Sequence, residues 1–101
     1  MGNVEASYAK KYKIRLKEKK DVDGIRAAGN LVLETLDRVE EMIRPGLITE
    51  EINTLVHAFT IENGAKPAPL NYRGFPKSVC VSINEVICHG IPGQRALEDG
   101  D

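Results

Sequence analysis

The sequence predicts a mixed α/β (α+β) chain, two helices packed on an antiparallel β-hairpin. Three observations lead there. Apolar residues from about Asp21 to Arg44 recur at alternating intervals of three and four. A second amphipathic run follows Pro45-Gly46. After residue 77 the period falls to two, as in a half-buried strand.

The first helix carries Val22, Ile25, Gly29, Val32, Leu36, Val39 and Ile43 as one stripe, widened by Ala28, Leu33 and Met42. Such a stripe predicts helices lying on a sheet. A coiled coil is the alternative, but a glycine in a seam of only three heptads disfavours it. Gly29 costs about 1 kcal/mol against alanine, which predicts a close backbone approach at that point. Pro45-Gly46 ends the helix. Thr49 is the expected N-cap of the second helix, with Glu50 and Glu51 near the positive end of its dipole. Ile52, Leu55, Val56 and Phe59 form its apolar face, and Gly64 closes it. His57 lies between Val56 and Phe59 and reads as a surface or edge histidine.

Residues 65–77 hold three of the five prolines, so this loop keeps a surface shape with little regular structure. Tyr72 and Phe75 sit on it, three residues apart. The rings either wall a pocket or cap the core, and the sequence leaves both open.

Val79, Val81 and Ile83 alternate with Cys80 and Ser82, Asn84-Glu85 is a turn, and Val86-Ile87-Cys88-His89 returns. A two-residue loop at 84–85 sets Cys80 opposite His89 and Val81 opposite Cys88. Cys80 and His89 then share a face while Cys88 points away, which argues against a Cys80–Cys88 disulfide. A cysteine facing a histidine invites a thiol-nucleophile reading. No Asn or Asp is placed to orient the imidazole, and a strand cysteine is more often a small hydrophobe.

With 101 residues, the chain is one small domain or a piece of a larger one, too short to close a two-sided cleft. No apolar run approaches the roughly 18 residues of a membrane span, so no membrane is expected. The start has basic residues but neither an apolar core nor a cleavage site, and two cysteines make no stapled scaffold. A cytoplasmic setting is expected. The net charge of −1 conceals an uneven distribution. Residues 1–20 hold seven Lys/Arg against Glu5 and Glu18, a net +5, whereas residues 21–101 carry seven bases and thirteen acids, a net −6. This division marks 1–20 as a basic N-terminal extension. Tyr12, Ile14 and Leu16 alternate with Lys13, Arg15 and Lys17, which reads as a short edge strand or an extended arm. The basic leader is either a solvated extension or a phosphate-binding one, directed at RNA or a ribosome.

The segment Pro67-Ala-Pro-Leu-Asn-Tyr-Arg-Gly-Phe-Pro-Lys-Ser-Val-Cys-Val-Ser-Ile-Asn-Glu-Val-Ile-Cys-His-Gly-Ile-Pro92 resembles the signature of type I methionine aminopeptidases. The likeness extends back through Ile25-Arg26-Ala27-Ala28-Gly29, Arg44-Pro45-Gly46 and Gly64-Ala65, and forward to Leu97-Glu98-Asp99-Gly100-Asp101. It implies that residues 21–101 are a partial pita-bread aminopeptidase domain, the first helices and hairpin of the N-terminal half. The implied activity removes the initiator methionine from nascent chains, with two divalent metal ions (Co, Mn, Fe, Zn or Ni) activating a bridging water. The family's five metal ligands are expected C-terminal to Asp101, and Asp99 and Asp101 belong to an acidic turn ahead of them. This chain is therefore expected to bind no metal and to be inactive alone.

Residue by residue, the resemblance makes His89 the substrate-binding catalytic histidine that contacts the scissile amide. It makes Tyr72, Phe75 and Cys80 the wall of the pocket for the methionine side chain, where a thioether meets aromatics and a thiol. This reading displaces the cysteine nucleophile. Pro69 stands where some relatives have a cysteine, and Lys19-Lys20 and Gly24 depart from the family's Pro- and Glu-rich helix start. The implied partners are N-terminal methionine peptides. An open sheet edge and an uncovered helix face also predict self-association or marginal folding.

Overall fold

The helices are α1 (Gly2–Tyr12), α2 (Lys19–Met42) and α3 (Thr49–Glu62), followed by a 3₁₀ turn at Tyr72–Gly74. The computed structural model describes residues 2–101. The chain divides into two units, Met1–Asn30 and Leu31–Asp101.

In the first unit α1 is helical where the sequence suggested only an extension. Its Tyr8 and Tyr12 rings lie one turn apart, with centroids 5.2 Å from each other. Lys13, at φ 59°, breaks the helix. The edge strand read over residues 12–17 does not form: Tyr12 ends α1, and the following residues have no neighbouring strand to pair with. The start of α2 is capped from within, because Glu18 N–H donates to Asp21 Oδ2 (2.9 Å). That bond, followed by the Arg15 guanidinium, holds the Asp21 carboxyl below its ordinary range. Gly29 meets no close backbone, since nothing lies within 4 Å of where its Cβ would be. The expected close approach is therefore absent among the described residues.

In the second unit, α2 turns only one edge of its apolar stripe inward. Leu31, Thr35, Val39 and Met42 are half-buried, whereas Val32, Leu33, Leu36 and Ile43 stay exposed. No residue of α2 is fully buried. Val39 and Met42 pack on the core of Leu47, Ile52 and Val56, together with Leu55, Val79, Val81 and Leu97. Arg38 lays its guanidinium over the Phe59 ring, 4.5 Å from the centroid, and so covers the end of that core.

Ile48, and not Thr49, is the N-cap of α3. Its N–H donates to Glu51 Oε2 (3.0 Å), and Thr49 is drawn into a different task. The buried Thr49 hydroxyl donates to the Gly93 carbonyl (3.0 Å) and accepts from Gly93 N–H (2.9 Å). Around this exchange residues 46–49 run antiparallel to 93–97, through Leu97 N–H to Leu47 O (2.8 Å), Gly46 N–H to Leu97 O (2.7 Å) and Thr49 N–H to Arg95 O (2.9 Å). Leu47 and Pro92 are fully buried.

The β-hairpin at 79–89 does not form as expected. Among the described residues there is no strand, although Asn84-Glu85 does turn. The two arms meet through Val81 N–H to Gly90 O (2.8 Å) and Gly90 N–H to the Ser82 hydroxyl (3.1 Å). Val81 therefore pairs with Gly90, not Cys88, a shift of two residues from the expected register. Asn84 (φ 53°) and His89 (φ 55°) adopt left-handed backbone, which interrupts a pleated ladder at both places. A two-stranded ribbon without a third strand is also marginal on its own.

Candidate functional site

The loop before the turned arms is built on its prolines. Leu70 N–H donates to Pro67 O (3.2 Å) and Tyr72 N–H to Pro69 O (3.0 Å), forming successive turns. Asn71 (φ 64°) and Arg73 (φ 49°) then take left-handed conformations, and Asn71 N–H reaches Phe75 O (2.9 Å). Backbone strain of this kind gathers where a structure over-determines it, and here it folds Tyr72 and Phe75 onto one side.

That side is a cavity of about 660 Å³ whose wall is mostly apolar. Tyr72, Phe75, Cys80 and His89 all line it, with Pro69 and Ile91. The structure thus brings together all four residues singled out from the sequence. It decides the question left open by Tyr72 and Phe75: both rings line the cavity, and Tyr72 is 64% exposed, so it does not cap the core. Cys80 and His89 share the cavity although the expected register is wrong, since a shift of two residues leaves the faces unchanged. Both cysteines are free thiols.

His89 owes its place to its neighbour. A Cβ on Gly90 would run into the Val81 carbonyl, with Ser82 Cα only 2.9 Å away. Only glycine permits this contact, and it fixes the residue that follows the imidazole-bearing one.

Sequence reasoning missed the support behind the cavity. Ser78, only 4% exposed, donates its N–H to Asn53 Oδ1 (2.8 Å), and its hydroxyl lies 2.8 Å from His57 Nδ1 in a hydrogen bond. Lys77 Nζ sits 2.7 Å from Glu50 Oε2, an oxygen shut off from solvent. This ammonium is the main reason the Glu50 carboxyl is held below its ordinary range. The available signal was the i, i+3, i+7 spacing of Glu50, Asn53 and His57 on one helix face.

The chain belongs to metallopeptidase family M24, whose model matches residues 23–101. It is 51% identical over 88 residues to methionine aminopeptidase 1D, chloroplastic/mitochondrial, of Arabidopsis thaliana, covering 87% of this chain and 25% of that protein. It is 49% identical to a methionine aminopeptidase of Rickettsia prowazekii, covering 87% of this chain and 34% of the relative. The crystal structure of methionine aminopeptidase from Rickettsia prowazekii superposes with a TM-score of 0.83 at 48% identity, over 86% of this chain and 35% of that one. The chain therefore has the pita-bread fold over the part it shares, and it spans about a quarter to a third of the length of these relatives.

A metallopeptidase needs divalent ions, but the residues here do not fit one. Among the described residues no group of three or more His, Cys, Asp or Glu is arranged to hold a metal. No metal-dependent step is assigned to them. No helix among the described residues is long and apolar enough to cross a membrane.

Proposed function

We propose that this chain carries the substrate side of a methionine aminopeptidase, binding the N-terminal methionine of nascent polypeptides. The carrying observation is the convergence of Tyr72, Phe75, Cys80 and His89 on one apolar cavity. A methionine side chain suits that wall. It is unbranched and polarizable, and its sulfur gains from the edge of an aromatic ring. Burying it stabilises the complex by about 1.5–3 kcal/mol. His89, at the cavity rim, donates an imidazole N–H to the carbonyl of the scissile amide and so fixes the bond relative to the pocket. Tyr72, Phe75 and Cys80 are substrate-binding, and His89 is both substrate-binding and catalytic. Divalent metal binding is assigned to residues other than these, in a complete domain of which 21–101 is part and 1–20 is a basic extension. The free thiols suit a reducing, cytoplasmic setting.

The test is titration of the isotopically labelled chain with a Met-Gly-Met peptide, followed by NMR. Shifts concentrated on Tyr72, Phe75, Cys80 and His89, and weakened in His89→Ala and Phe75→Ala, are the expected result. No shift at these residues would overturn the reading. With Co²⁺ or Mn²⁺ added, the chain alone should not cleave the peptide.

A second reading is favoured by α1, on which exposed Tyr8 and Tyr12 stand beside Lys10 and Lys11. In it the chain is a non-catalytic pita-bread binding module whose residues 1–20 contact RNA or a ribosome. A salt-sensitive RNA affinity that disappears on deleting residues 1–20 supports this, and no binding at low salt ends it.

A further inference from the structure

Buried polar groups need partners, and those of Ser78 both come from one helix. Asn53 takes its N–H and His57 engages its hydroxyl, each at 2.8 Å. Glu50, on the same face, binds the preceding Lys77 and is itself linked to Asn53 Nδ2 (3.2 Å). Ser78 is three residues after Phe75 and two before Cys80, both of which line the cavity. Between them, Pro76 restricts the backbone and Val79 is packed on the core. The separation of Phe75 from Cys80 thus depends on where α3 holds Ser78.

We propose that His57 is a positioning residue of the pocket: through Ser78 it sets the width of the cavity, and with it the preference for a long unbranched side chain over a branched one. It touches no substrate itself. This rests on the pocket reading given above.

The test uses the whole chain with two probes, Met-Gly-Met and Leu-Gly-Met, and reads both affinities by NMR titration. His57→Ala should weaken Met-Gly-Met about two- to tenfold, the range of one hydrogen bond, and lower the Met/Leu preference. His57→Asn, whose polar atoms sit one bond from Cγ as Nδ1 does, should restore both. Ser78→Ala should reproduce His57→Ala, and the double variant should be no worse than either single one. If His57→Ala does not fold, Ser78→Ala and His57→Asn decide the matter alone. An unchanged Met/Leu preference in folded His57→Ala or Ser78→Ala, or no rescue by His57→Asn, overturns the proposal. Failure of the unmodified chain to bind Met-Gly-Met instead overturns the pocket reading, and this inference with it.

Discussion

Asp101 and Arg95 form a two-point ion pair, Oδ2 to Nη1 at 2.9 Å and Oδ1 to Nη2 at 3.3 Å. The same carboxylate accepts from Glu98 N–H (2.8 Å) and from Asn84 Nδ2 (2.8 Å). One side chain therefore ties the 98–101 turn to the turn at Asn84, the reversal that leads to His89.

Asp101 makes acid stability predictable in sign. The Arg95 guanidinium, then the Glu98 and Asn84 donors, hold its carboxyl far below the ordinary carboxylate range. A depressed folded value contributes stability that is complete above the unfolded value near ~4 and lost as pH falls through the folded one. The urea midpoint of Asp101→Asn should thus lie below that of the unmodified chain at pH 6–7, and the two should converge as pH drops below about 4. Parallel curves would refute this.

Gly90 admits no side chain beside the Val81 carbonyl. Gly90→Ala should destabilise the chain by about 1–3 kcal/mol, the usual cost of overpacking. It should also displace the resonances of His89 and Cys80 together. A silent substitution would show that the arms can separate at no cost.

Leu47 is fully buried in the cluster it forms with Ile52 and Val56. Leu47→Ala should cost about 2–5 kcal/mol through transfer and cavity terms. With so few fully buried apolar residues, that loss should abolish a cooperative melt, as circular dichroism would register. A sigmoidal transition at an unchanged midpoint would contradict the packing described.

Val32, Leu33 and Leu36 stand 56–62% exposed on α2, a contiguous apolar surface of the kind that drives association. The chain should self-associate with increasing concentration in sedimentation velocity, and Leu33→Glu/Leu36→Glu should return it to monomer. A sharp monomer for the unmodified sequence would count against this.

Much of the local structure was legible in the residues. α2 and α3 begin and end within two residues of their predicted bounds, because Pro45 cannot continue a helix and Gly46 and Gly64 take the left-handed φ that ends one. The four cavity-lining residues were singled out only through the resemblance of the Pro67–Pro92 segment to type I methionine aminopeptidases, since the residues by themselves left Tyr72 and Phe75 between a pocket wall and a core cap. The 46–49 with 93–97 pairing was not, since its partners lie more than forty residues apart and neither stretch alternates. Nor was the Ser78 support, because a histidine in mid-helix looks the same whether or not a distant hydroxyl meets it.

By itself the sequence determined where α2 and α3 start and stop and where the chain turns at Pro45-Gly46 and Asn84-Glu85. These depend on φ preferences and short-range spacing, which travel with each residue. Only the tertiary structure decided which face of α2 is covered, that the 79–89 arms pair as Val81 with Gly90, and that Thr49 binds Gly93 instead of capping α3. Those outcomes depend on what lies opposite. A hydrophobic stripe is buried only if another surface reaches it, and an alternating segment becomes a strand only if neighbouring strands complete its hydrogen bonds.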